Sequence, residues 1–120
     1  MNHYSSEHEI EEVVRGFENC TTAKEAFTHR QHLTVAVWYL YQSDEEQALE
    51  KMRMGLLRFL GHHGVAQGKY REDLTVSWLK LIKETMHEMD SSLGVLEKTN
   101  NVLDLLSDAS LIKVITESNA

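Results

Sequence analysis

The chain contains no proline, so no helix in it is broken by a missing amide donor, and helix starts are read from capping residues. A Ser or Thr followed three residues later by Glu or Gln occurs at Ser6/Glu9, Thr22/Glu25, Thr28/Gln31 and Ser43/Glu46. Each such pair can satisfy two orphan amides of a helix N-terminus. Behind Ser6, the residues Ile10, Val13, Val14 and Phe17 form a narrow apolar stripe that predicts a helix over about 7–19. Thr22 predicts a short helical turn, and Thr28 a long helix over about 29–42. Ser43 opens a third helix over about 44–62, with Ala48, Leu49, Met52, Leu56, Phe59 and Leu60 on one arc. Its end at His62-His63-Gly64-Val65 suits a Schellman cap, with Gly64 left-handed.

A fourth helix over about 71–89 carries Leu74, Trp78, Leu81, Ile82, Met86 and Met89 at helical spacing. Leu93, Leu96, Leu103 and Leu106 fit a fifth, although Gly94, Asn100 and Asn101 weaken it. A last helix over 108–117, capped by Asp108, competes with a strand favoured by Ile112, Val114 and Ile115. The expectation is an all-α fold: one domain over 1–120, a helical bundle of five to six helices. Its least regular part, 91–120, suits C-terminal packing or oligomerisation, a homodimer included.

The formal charge is −7 and no Lys/Arg cluster is present, which excludes the basic face that nucleic-acid binding requires. The longest apolar run, Val35 to Tyr41, is too short to span a membrane, and the first residues carry no secretory signal. Cys20 is the single cysteine, so there is no intramolecular disulfide, and a reducing cytoplasm is the expected compartment. Cys20 itself reads as a filler at a helix end rather than a reactive thiol, with no His or Lys beside it.

The chemistry concentrates at Phe27-Thr28-His29-Arg30-Gln31-His32-Leu33. His29 and His32 lie roughly 60° apart on one side of a helix. His29 shares the arc of Leu33, Ala36 and Leu40, so it is expected to be buried. Such a pair can build a metal site, an acid/base pair or a hydrogen-bond network. His63 lies on the apolar arc of the third helix, and Tyr70, Arg71 and Glu72 open the fourth. The helix ends are expected to bring His29, His32 and Glu72 into one site, with His63 or Tyr70 at its edge. His3, His8 and His87 stand in polar surroundings, and the methionines and tryptophans read as core.

Phe27-x-His29-x-x-His32-Leu33, Trp38-Tyr39-Leu40, Met52-Arg53-x-Gly55-Leu56, His63-Gly64 and Tyr70-x-Glu72-x-Leu74-Thr75 together resemble an uncharacterised family of small bacterial helical proteins. That family carries F-x-H-x-x-H-L near its start and Y-H-E-T-[IL]-T in its middle. The resemblance covers about residues 15–85 and implies no activity, since none is established for the family. Arg71 stands where the family has histidine and Asp73 where it has threonine, and the part from Ser91 onward does not match the family's ending. A divalent transition metal held by His29, His32, His63 and Glu72 is the weaker alternative, because a guanidinium beside the set repels a cation. The same guanidinium attracts carboxylate or phosphate.

Two functions follow as expectations. The first is a pocket for a small anionic molecule, with or without catalysis. His29 or His32 would be the acid/base there, Glu72 its orienter, and Arg71, His63 and Tyr70 ligand contacts. The second is a non-catalytic interaction or oligomerisation module whose His/Tyr/Glu network fixes helix geometry.

Overall fold

A computed structural model describes residues 3–110. Within them run α1 (Glu7–Glu18), α2 (His29–Gln42), α3 (Glu45–His62), α4 (Glu72–His87) and α5 (Val95–Leu106). Short 3-10 turns at Lys24–Ala26 and Gln67–Lys69 interrupt the two longer connections. The protein is an all-α bundle, as the capping and periodicity imply. The helix expected over 108–117 lies, from 111 on, outside the described residues.

The capping boxes are used selectively. At α1 the box closes: Ser6 Oγ accepts the Glu9 amide, and Glu9 Oε1 accepts the amides of Ser5 and Ser6. At α2 it does not close, because the Thr28 amide that Gln31 would reach already donates to the Ala26 carbonyl at 3.0 Å. The preceding 3-10 turn has taken that donor. At α3 the cap moves one residue along. Ser43 Oγ donates backward to the Tyr39 carbonyl, and Asp44 Oδ1 accepts the Gln47 amide at 2.8 Å. The link between α2 and α3 is therefore only Ser43 and Asp44, and the two helices fold back sharply.

The Schellman end expected at Gly64 exists, and α1 ends in a second, less usual one. Gly64 has φ 71°, and the amides of Val65 and Gly64 return to the carbonyls of Leu60 and Gly61. At the end of α1 the left-handed position is Cys20, φ 59°, with Thr21 N–H on the Gly16 carbonyl. A side chain there costs roughly 1–2 kcal/mol, offset in part by burial of the thiol.

α2 is the central element and packs against each of the other four helices. That is why its apolar residues surround it: Leu33, Thr34, Val35, Ala36, Val37 and Tyr39 are all buried. α5 presents Val95, Thr99, Val102, Leu103 and Leu106, a stripe that includes valines and a threonine rather than the leucines alone. Asn100 does not weaken α5. Its amide group exchanges two hydrogen bonds with the backbone of Tyr4, and the Tyr4 hydroxyl reaches Thr34 Oγ1 at 3.0 Å. The segment before α1 is thereby clamped across α5 and α2.

α1 meets α3 through a ring laid on a glycine. A Cβ at Gly55 would stand 2.5 Å from the Phe17 ring, which is fully buried and lies parallel to Phe27 at 4.8 Å. Phe17 therefore has no free side to move into. Gly55→Ala would gain up to about 1 kcal/mol of helix propensity, but the overpacking costs about 1–3 kcal/mol and wins. Chemical denaturation is expected to show net destabilisation, with helix content of the folded state unchanged.

Candidate functional site

Three phenylalanines form the floor on which the site rests. Phe17 stacks on Phe27, and the Phe59 ring tilts against Phe27 at 5.0 Å and Phe17 at 5.9 Å. The His32 ring lies 4.3 Å from Phe27, and the His63 ring lies 4.4 Å from Phe59. One helical turn before His32, the His29 ring sits 4.7 Å from Trp78, and its Nε2–H donates to the Leu106 carbonyl at 3.0 Å. That bond satisfies one of the carbonyls left open at the end of α5. His29 is half-buried rather than fully buried, because its ring lies in the wall of an open cleft.

The cleft has a volume of about 400 Å³ and opens between α2, α3 and α4. Its interior is apolar, formed by Phe27, Leu33, Ala36, Met52, Leu56, Phe59, Leu74, Trp78 and their neighbours. His29, His32, Tyr70 and Arg71 line it too. Glu72 and His63 do not. Glu72 faces away, where Arg53 of α3 grips both its oxygens (Nε–Oε1 2.9 Å) and the Tyr70 hydroxyl donates to Oε1 at 2.6 Å. It makes no hydrogen bond or ion pair with either cleft histidine. His63 remains on Phe59, with its buried Nε2 lacking a hydrogen-bond partner.

Electrostatics divides these groups sharply. Burial, with the nearby His29 adding to it, pushes His32 down to about 4, so it is neutral at pH 7. The Arg53 bond, then that from Tyr70, holds Glu72 down to about 2. Arg71 lies at the rim, mostly exposed, and its guanidinium forks onto both oxygens of Asp73 at 2.9 and 2.7 Å. Its charge is already half-spoken for. Lys24 and Lys69, one from each 3-10 turn, also line the cleft and are absent from the ion pairs among the described residues.

Neither lysine stands out in the sequence, because a lone cation in a loop has no periodic signal. Arg53, the partner of Glu72, lies 19 residues away on a different helix, so spacing could not pair the two. The set weighed for a divalent metal is not gathered. Among the described residues no group of three or more His, Cys, Asp or Glu is placed to hold an ion, and Arg53 and Tyr70 occupy the carboxylate that would have anchored it. No helix among the described residues is long and apolar enough to cross a membrane. No family model, no curated protein and no solved structure matches the chain.

The His32 environment predicts a pH dependence. The unfolded imidazole titrates near 6.5 and the folded one at about 4, so between those values the unfolded state binds more protons. Stability is then constant above about 6.5 and falls as pH drops toward 4, with a contribution on the order of 1 kcal/mol per pH unit. Unfolding free energies measured from pH 7 to 4 are expected to fall less steeply for His32→Gln than for the parent. Parallel slopes would show that His32 protonates freely in the fold.

Proposed function

We propose that this chain is a pocket protein that takes a small anionic molecule into the cleft between α2, α3 and α4. The observation that carries the reading is an apolar cleft of about 400 Å³ with two histidines on its wall and cationic side chains at its rim. A concave apolar site with a few polar groups is the usual form of a small-molecule site. In a chain of formal charge −7, cations gathered at one opening favour an anion there over the rest of the surface.

If the site also performs chemistry, His32 is the proton acceptor, since burial keeps it neutral at pH 7. A neutral His29 that donates from Nε2 to Leu106 keeps Nδ1 as its acceptor. Glu72 does not orient either imidazole; its bonds to Arg53 and Tyr70 pin the start of α4 to α3. Arg71 contributes at the rim only by sharing its fork with Asp73. The free, buried Cys20 accords with a cytoplasmic protein of the small bacterial helical kind that the motifs resemble.

A second reading, a helical interaction module, is favoured by one observation. The Glu72–Arg53–Tyr70 and His29–Leu106 contacts join helices without needing a ligand. A thermal-shift screen with small carboxylates, phosphates and sulfonates separates the two. The pocket reading predicts that at least one anion raises Tm by several degrees, and that Lys24→Gln with Lys69→Gln, still fully helical, loses that rise. If no anion raises Tm, the pocket reading fails and the interaction module replaces it.

A further inference from the structure

Resting on the pocket reading, we infer that the cleft takes an amphipathic monocarboxylate. Its apolar body inserts between Phe27 and Trp78, and its carboxylate lies at the mouth against Lys24 and Lys69. The interior argues for the apolar body. Most side chains lining the cleft are hydrocarbon or aromatic, and a bare anion placed among them would lose its hydration without replacement. The volume of about 400 Å³ holds on the order of a dozen non-hydrogen atoms, at the roughly 30 Å³ that each water takes in the liquid. An acid with a medium-length chain or a single ring is of that size.

The mouth argues for the head group. Lys24 and Lys69 are exposed, line the cleft, and belong to no ion pair among the described residues. Arg71, whose planar fork would read a phosphate bidentately, has that fork committed to Asp73. Lys24 and Lys69 are single-point cations, which hold a carboxylate without the fork that a bidentate phosphate contact would use. His32, neutral at pH 7, adds no charge deeper inside, so the head stays at the mouth and the tail goes in.

Octanoate is the probe, compared with octan-1-ol, octylammonium, octyl phosphate and acetate, by calorimetric titration and by the fluorescence of Trp78. Trp38 is replaced by Phe in every protein used for the optical readout. The inference expects octanoate to bind at least tenfold tighter than the alcohol, the amine, the phosphate or acetate. It also expects Lys24→Gln with Lys69→Gln to weaken octanoate about tenfold while leaving octanol binding unchanged. Octanol or octylammonium binding as tightly as octanoate, or a double variant that binds octanoate like the parent, overturns the carboxylate assignment but keeps a ligand cleft. Octyl phosphate binding tightest moves the head group to phosphate. Acetate binding as tightly as octanoate removes the apolar body from the proposal. No binding by any of the five overturns both the inference and the pocket reading beneath it.

Discussion

The contact between the Phe17 ring and the bare backbone of Gly55 seats the aromatic cluster beside the cleft. A glycine in mid-helix weakens α3 locally, yet here it lets α1 approach closely enough for a fully buried ring to lie against the helix backbone. Phe27 then stacks on Phe17, and Phe59 closes against both. These rings give His32 and His63 their aromatic faces. The cleft opens beside this cluster, so its wall is built of groups that are themselves braced by packing. Interiors packed to crystal-like density resist small displacements, and a cleft with such a floor keeps its shape without a ligand.

The polar groups around the cleft fall into two kinds. Arg53, Glu72 and Tyr70 close on one another and hold α3 to α4, and His29 reaches across to the last carbonyl of α5. These bonds position helices. His32, Lys24 and Lys69 line the cleft and make no such bonds, and the proposed ligand would meet them there. The split explains why Glu72 bonds Arg53 and Tyr70 and not a histidine from a neighbouring helix end. A guanidinium on α3 competes for the carboxylate with a bidentate, charge-assisted bond, which a neutral imidazole cannot match.

The helices were legible in the sequence because local rules decide them. Ser6 and Glu9, Gly64 with Val65, and the stripe through Ile10, Val14 and Phe17 all act within one or two helical turns. Where a neighbouring element intervenes, local reading misleads. Thr28 is the N-cap of α2, but its capping box stays open, since the turn at Lys24–Ala26 has already engaged its amide. Ser43 yields to Asp44 because its hydroxyl serves the end of α2. In the site, His29 and His32 were legible from their spacing on an apolar helix. The partner of Glu72, the pairing of Arg71 with Asp73, and the lysines at the mouth were not, since each depends on which loop or helix folds beside which. The half-burial of His29 follows from the cleft itself, which no periodicity encodes.

The Phe17–Gly55 contact seats the aromatic floor, and a double-mutant cycle in unfolding free energy tests it most directly. Gly55→Ala, Phe17→Leu and the double variant are unfolded by denaturant under one set of conditions. If the added methyl group is destabilising because it meets the Phe17 ring, the shorter leucine relieves it. The cost of Gly55→Ala then falls to less than half in the Phe17→Leu background, a coupling of about 1 kcal/mol or more. Costs that add within about 0.3 kcal/mol would mean that the two residues do not meet, and the aromatic floor of the cleft would lose its support.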